Sequence, residues 1–260
     1  MKSLLAVAIL LCGFSVHATD WEESAKVAAL FAAADVGGTF VLYDVAAQRV
    51  IGHDQARAET RFVPASTYKI PNTLIGLTVG AVANVDEMLP YGGAPQPFET
   101  WQRDMSLREA IALSNVPIYQ ELARRIGIER MRENLGRIGY GNNEIGSVVD
   151  RFWLDGPLRI SAVEQVQFLA RLAQDQLPFS PALQRNVRDI VMIESTADWK
   201  LYAKTGWQNA PDPGVGWWVG WIEKDRRIYA FALNVDIDEP ADAAKRIDLG
   251  KAALKALDVM

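Results

Sequence analysis

The 260-residue chain contains one cysteine and two histidines, and their scarcity narrows the chemistry open to it. Cys12 and His17 both lie in the first 18 residues, which read as a signal peptide. Met1-Lys2 gives a short positive start, Ser3 to Phe14 is nearly all apolar, and Val16-His17-Ala18 fits a small-x-small cleavage pattern. The apolar run is shorter than the roughly 20 residues a membrane span needs. Leu11 before Cys12 does not fit a lipid-attachment box. The expected product is a periplasmic chain starting at Thr19, exported by a cleavable leader and free of the membrane afterwards. It would carry no cysteine and one histidine, His53. Disulfides are then excluded, and so in practice is a zinc site built from Cys and His ligands, so no metal is expected. A Ser-His-Asp triad would rest on His53 alone. That residue sits in Ile51-Gly52-His53-Asp54, which reads as a surface turn, and no G-x-S-x-G elbow accompanies it.

The chain also lacks basic excess. Lys and Arg total 27 against 32 Asp and Glu, a net charge of −5, or 26 − 32 = −6 once Lys2 leaves with the leader. With no basic run longer than two residues there is no nucleic-acid footprint. Internal repeats, low-complexity segments and long linkers are absent too.

Half of the residues are hydrophobic, enough for a substantial core. Thr39–Val45 is a β-branched and aromatic run that predicts a strand, with Arg49–Ile51 starting its hairpin partner. Pro64-Ala65 introduces a helix from about Ser66 to Leu77. Ser106-x-x-Glu109 and Ser161-x-x-Glu164 are capping boxes that open helices, the second running through Leu172. Pro117 stands at a first helical position before Ile118–Ile126, Glu129–Ile138 makes another helix, and Pro181–Ile193 a further one. Trp199–Lys204, Gly216–Glu223 and Ile228–Asp236 then read as an antiparallel meander, and Ala241–Leu257 as a closing helix. The fold class is α/β of the α+β type: one domain over 19–260, with sheet regions 19–64 and 195–260 and a helical insertion over 65–194. A groove between sheet and helices is the natural pocket.

Four segments can carry chemistry. In Ser66-Thr67-Tyr68-Lys69, residues i and i+3 share a helix face, so the Lys69 amine reaches the Ser66 hydroxyl and can act as the base a serine nucleophile needs. Lys204-Thr205-Gly206 ends a predicted strand and offers a cation, a hydroxyl and a bare backbone, and the Trp207 N–H that follows suits an oxyanion hole. Ser114-Asn115-Val116 lies between two helices, where either polar residue can cap the helix that Pro117 begins or Ser114 can shuttle protons. The stretch from Tyr140-Gly141-Asn142 through Phe152-Trp153-Leu154 to Ser161 is long and weakly periodic, as functional loops often are. In Trp217-Trp218-Val219-Gly220-Trp221, strand alternation puts Trp217, Val219 and Trp221 on one face and Trp218 on the other.

Each signal alone is weak, but their order and spacing are specific. Ser66-x-x-Lys69, Ser114-x-Val116, Tyr140-Gly141-Asn142, Trp153-Leu154 and Lys204-Thr205-Gly206 together resemble the class D (oxacillinase-type) serine β-lactamases over nearly the whole chain after the leader. The flanks agree: Pro64-Ala65-Ser66-Thr67-Tyr68-Lys69-Ile70 and Lys204-Thr205-Gly206-Trp207. The resemblance implies a β-lactam-hydrolysing fold of the penicillin-binding-protein type and a set of roles. Ser66 is the nucleophile. Lys69 is the base, N-carboxylated by carbon dioxide or bicarbonate, with no other cofactor. Ser114 relays protons, Val116 covers the modified lysine, and Trp153 donates its indole N–H to the carbamate. Lys204, Thr205 and Gly206 hold substrate with Trp207, and Arg246 takes the substrate carboxylate. Tyr68 departs from the family's usual Phe, Ser-Asn-Val argues against class A, and no glutamate, Glu144 included, is set to position a water. The substrate profile would depend on loops around Met105, Trp221 and Pro211 to Val215. Three other readings stay open: a penicillin-sensing receptor domain that remains acylated, a penicillin-binding transpeptidase or carboxypeptidase, and an inactive interaction protein.

Overall fold

A computed structural model describes residues 20–209, 213–240 and 242–260. The expected leader therefore lies outside the described residues, apart from which the chain builds a seven-stranded sheet with helices on both sides.

The strands are β1 (Trp21–Glu23), β2 (Gly38–Asp44), β3 (Arg49–His53), β4 (Met192–Ser195), β5 (Trp199–Gln208), β6 (Gly214–Lys224) and β7 (Arg227–Ile237). Their spatial order is β1-β3-β2-β7-β6-β5-β4. The expected meander β5-β6-β7 and hairpin β2-β3 are present and antiparallel, and β2 joins the two through β7 with Thr39 opposite Asn234. The sheet is not wholly antiparallel, because β1 pairs parallel with β3.

Alternation along β6 divides the core. Trp217, Val219 and Trp221 face the large core shared with the helical region. Trp218 and Ile222 face a smaller core with Val27 and Phe31 of α1 (Ala25–Ala34) and Leu249, Ala253 and Leu254 of α9 (Asp242–Ala256). Two tiers of side chains on one strand thus seal both faces of the sheet, the arrangement expected when neither face meets water.

The helical side comprises α2 (Gln55–Glu59), α3 (Lys69–Thr78), α4 (Leu107–Ala112), α5 (Val116–Ile126), α6 (Ile128–Ile138), α7 (Ala162–Ala173) and α8 (Pro181–Val191). Both capping boxes form, at Ser106/Glu109 and Ser161/Glu164. α3 is buried from Lys69 through Leu77, and its buried polar residues Asn72 and Thr73 are hydrogen-bonded within the core. Leu74 is fully buried within it, and truncating such a residue to Ala costs about 2–5 kcal/mol.

Three expectations need correction. The helix predicted over Pro181–Ile193 stops at Val191, because Met192 turns extended (ψ 119°) and pairs with Tyr202 as the edge strand β4. Lys204-Thr205-Gly206 lies inside β5, not at its end, since Trp207 and Gln208 continue the pairing with β6. His53 is not a surface turn residue. It ends β3, its ring packs 4.8 Å from the Phe31 ring centroid, and its Nδ1 lies 3.1 Å from a Glu23 carboxylate oxygen.

Candidate active site

The segment Ala65–Tyr68 is a single 3₁₀ turn that leads without a break into α3. Ala65 sits in the left-handed region (φ 48°), where a Cβ is disfavoured, so the turn must be held by its surroundings. Thr67 supplies part of that hold. Its N–H and its hydroxyl both donate to the Pro64 carbonyl, at 3.2 and 2.8 Å, and Gln165 Nε2 on α7 donates to its Oγ1 at 2.9 Å. Trp217 Nε1 donates to the Val63 carbonyl at 2.9 Å, which ties the same turn to the sheet. Gly206 of β5 closes the contact, because a Cβ there would lie 2.9 Å from the Pro64 carbonyl oxygen and 3.1 Å from Thr67 Cγ2. The turn can therefore approach the strand only where the strand has no side chain.

Mounted this way, Ser66 Oγ lies 2.7 Å from Lys69 Nζ. Lys69 is fully buried, takes part in no ion pair among the described residues, and holds its amine 5.4 Å from the Tyr119 ring centroid. Burial pushes its pKa well below the ordinary lysine value, and the nearby Lys204 charge pushes it further the same way.

Ser114 and Lys204 form a second pair. Asn115 is the N-cap of α5, its side chain accepting from the Ile118 N–H at 3.0 Å, so the capping role falls to Asn115 and the Ser114 hydroxyl is left for other work. Ser114 also has left-handed backbone (φ 55°), as Ala65 beside the nucleophile does. Lys204 Nζ donates to Ser114 Oγ at 2.9 Å and to the Thr205 carbonyl at 3.0 Å. Its pKa is lowered to about 7, by burial first and then by the Arg246 charge.

These groups meet at a cavity of about 370 Å³ lined by Ser66, Ser114, Val116, Thr205, Gly206, Trp207 and Arg246, with Phe98, Thr100, Trp101, Leu113 and Leu154 completing its walls. Lys69 lies beneath Ser66, and Lys204 beneath Ser114 and Thr205. Arg246 reaches the cleft from α9, with Nη1 donating to the Ala243 carbonyl at 2.5 Å and Nε buried without a partner among the described residues. Trp153 is not in the open cleft. It is fully buried, with no acceptor for its indole N–H. Glu144 is exposed and lines none of it. Met105 and Trp221, expected among the loops that set substrate preference, are fully buried, and residues 210–212 lie outside the described residues.

Sequence reasoning missed the apolar wall. Phe98 and Trp101 stack edge to face at 4.8 Å. Trp101 Nε1 donates to the Leu113 carbonyl at 3.1 Å, and Asn115 Nδ2 to the Trp101 carbonyl at 3.3 Å. The segment between α3 and α4 has no periodicity to reveal it; its one signal is Phe98 and Trp101 among the polar residues of the stretch from Gln96 to Asp104.

The penicillin binding protein transpeptidase domain family matches residues 38–256. The chain is 39% identical to β-lactamase OXA-10 of Pseudomonas aeruginosa, over 92% of this chain and 91% of that one. It is 38% identical to β-lactamase OXA-48 of Klebsiella pneumoniae, over 98% and 96%. Among solved structures, FUS-1 (OXA-85), a class D β-lactamase from Fusobacterium nucleatum subsp. polymorphum, superposes with a TM-score of 0.89 at 44% identity, covering 92% of this chain and all of that one. The chain belongs to the class D β-lactamases.

In this class D enzyme the departure at Tyr68 is accommodated by its neighbours. The Tyr68 ring stacks on Trp153 at 5.5 Å and 23° and meets Tyr140 and Phe152 edge on. Its hydroxyl donates to Met131 Sδ at 3.1 Å, a soft acceptor for a buried O–H. The aromatic packing that fixes Trp153 is thus kept, and the extra oxygen is satisfied inside the core.

Proposed function

We propose that the enzyme hydrolyses β-lactams through an ester on Ser66, with the base at Lys69. The observation that carries this reading is the Ser66 Oγ to Lys69 Nζ distance of 2.7 Å at a lysine whose pKa burial lowers. At an ordinary pKa near 10.4 only about one lysine in 10³ would be neutral at pH 7. A neutral amine accepts the serine proton; an ammonium cannot.

Ser66 Oγ bonds to the lactam carbonyl carbon while its proton passes to the base at Lys69. Negative charge develops on the carbonyl oxygen, where the Ser66 and Trp207 backbone N–H groups are the candidate donors. The first amides of a helical turn have no carbonyl of their own turn to bond. The ring C–N bond then breaks, and the nitrogen takes a proton from the Ser114 hydroxyl, which Lys204 at 2.9 Å restores. Once the first proton has passed from Lys69 back to Lys204, a water attacks the ester carbon and gives its proton to the base at Lys69, which returns it to Ser66 Oγ as the ester C–O bond breaks. Lys204, Thr205 and Arg246 present two cations and a hydroxyl to the substrate carboxylate, and Val116 shields Lys69 from solvent.

The surroundings of Lys69 also fit carboxylation by carbon dioxide. Burial favours the uncharged, reactive amine, and among the described residues the indole N–H of Trp153, whose ring stacks on Tyr68 next to Lys69 in the chain, is buried without an acceptor. Carbon dioxide on the Lys69 nitrogen would supply an anionic oxygen as the base for both proton transfers, with Trp153 Nε1 as its donor. That would account for the absence of a water-positioning glutamate. The leader implies that the chain works in the periplasm after cleavage behind Ala18, which the N-terminal mass of exported protein checks.

One experiment tests the core of the reading. Purified protein is mixed with a chromogenic cephalosporin while turnover and intact mass are followed together. Sustained turnover with a transient adduct mapped to Ser66 is expected, and rates should rise with added bicarbonate, most at acidic pH. One equivalent consumed with a lasting adduct would instead make the chain a sensor. A rate indifferent to bicarbonate across the pH range would leave Lys69 acting as a free amine.

A further inference from the structure

The catalytic cleft is not the end of the cavity system. Behind the ridge formed by Ser114, Lys204 and Thr205 lies a second cavity of about 360 Å³, which shares Thr205 with the cleft and has Lys204 in its own wall. Its lining includes Ile111 and Ala112 of α4, Ile193 of β4, Trp218 of β6, and Ile247 and Lys251 of α9. The cavity exists because β4 is short. It pairs with β5 only as far as Tyr202, and beyond it the β5 edge at Ala203, Lys204 and Thr205 opens into the cavity.

The exposed apolar residues point to the same trough. Among the described residues seven large hydrophobic side chains are exposed: Met88, Phe98, Leu113, Val148, Met192, Ile193 and Trp207. Phe98, Leu113 and Trp207 line the catalytic cleft, and Met192 and Ile193 line the second cavity. Uncovered apolar surface on an otherwise polar protein marks binding sites, and here most of it borders two cavities separated by one ridge. Among the described residues the only charge lining the second cavity besides Lys204 is Lys251, which Glu194 holds at 2.8 Å, so the rim is neutralised and most of the lining is apolar.

The ridge also presents the groups that suit a carboxylate: Lys204, Thr205 and, from the adjoining α9, Arg246. In a cephalosporin the ring carbon bearing the carboxylate is bonded to the carbon bearing the second substituent, C3. A carboxylate fixed on the ridge therefore directs the C3 substituent over it.

Resting on the β-lactamase reading, we propose that the second cavity is a subsite for the C3 substituent of cephalosporins, selecting an uncharged heteroaryl-sized group over a methyl. The acyl side chain on the opposite end of the substrate stays in the catalytic cleft and is not read here. Ala112 is the residue to alter. It is exposed, ends α4, lines only the second cavity, and takes no part in the chemistry.

The test compares two cephalosporins with the same acyl side chain, one carrying methyl and one a heteroaryl-thiomethyl group at C3. The wild type should show the lower KM for the heteroaryl compound. Ala112→Trp, which fills the cavity, should raise that KM by about tenfold and leave the methyl compound within about twofold, the range that apolar pocket contacts command. Ile193→Asp, an exposed change on the edge strand, should act in the same direction. An unchanged ratio in both variants, or an equal loss on both substrates, overturns the subsite. If the ratio is unchanged while the wild type sediments as a dimer and Ile193→Asp as a monomer, the open edge serves a second copy of the chain instead. Should the wild type turn over neither compound, it is the β-lactamase reading that fails.

Discussion

The cleft holds two serine–lysine pairs of nearly the same geometry, 2.7 Å for Ser66 and Lys69 and 2.9 Å for Ser114 and Lys204. Both lysines are buried, and burial lowers the pKa of both. Their surroundings separate them. Lys204 also donates to the Thr205 carbonyl, which stabilises an ammonium, and at a pKa of about 7 it is still substantially charged at neutral pH. Lys69 has the serine hydroxyl and an aromatic ring, and neither stabilises a charge as a carbonyl or carboxylate would. The second charge acts on the first: Arg246 lowers Lys204, and Lys204 lowers Lys69. The lesson is that a Ser-Lys contact does not define a role. The acceptors around the amine decide whether it is a base or a cationic anchor.

The largest effect that would break this comparison is removal of the first pair. Ser66→Ala and Lys69→Ala should each lower kcat by at least about 10³-fold, and the double variant should be little worse than either, as for residues that act as one unit. Equal losses from the second pair would void the distinction. Lys204→Ala should instead raise KM about 10- to 100-fold with a smaller change in kcat, the range for one charge-assisted contact. Because only protonated Lys204 attracts a carboxylate, wild-type KM for an anionic substrate should rise as pH increases through about 7, whereas KM of Lys204→Ala should not.

A stability measurement sharpens the same point. Burial lowers the Lys69 pKa in the folded state, while the unfolded chain binds a proton there below its ordinary pKa near 10.4. Unfolding therefore takes up a proton, and wild-type stability should increase with pH across that window. Lys69→Met removes this cost. In bicarbonate-free buffer its Tm should exceed that of the wild type at pH 6, and the gap should narrow as pH rises. A gap constant with pH would mean that Lys69 is charged in the folded protein. The smallest effect expected is at Tyr68→Phe, which loses the bond to Met131 Sδ but keeps the stack on Trp153. Its stability should change by no more than about 1 kcal/mol and its kcat less than about twofold, as read by denaturant melts and steady-state rates.

Much of this was legible in the sequence because its signals are local. Capping boxes, the proline before a helix, and the two-residue alternation of Trp217 to Trp221 each act within a few residues. The Ser66/Lys69 and Lys204/Thr205/Gly206 segments could be read from spacing, and with Ser114, Val116 and Trp153 from their resemblance to a family. What was not legible is set by distant partners. Met192 is extended because Tyr202 offers it a ladder, although its own sequence continues the pattern of α8. His53 is half-buried because Phe31 of α1 covers it. The Phe98, Trp101 and Leu113 wall depends on hydrogen bonds between an irregular segment and the α4–α5 turn. The role split between Ser114 and Asn115 needed the φ of one and the hydrogen bond of the other.

The pairing of β2 with β7 joins residues far apart in the chain, Thr39 with Asn234 being 234 − 39 = 195 positions distant. Bringing such distant segments together costs on the order of 5 kcal/mol in loop-closure entropy, whereas the β2–β3 hairpin and the β5–β7 meander close through short turns. Local pieces should therefore assemble first, and the long closure late. Ser66 and Gly206 come from opposite sides of that closure, so the cleft is absent until the final docking step. A ligand that fits the finished cleft finds nothing to bind in the species that precede it. It should lengthen the lifetime of the native enzyme by slowing unfolding, and leave the rate of refolding unchanged.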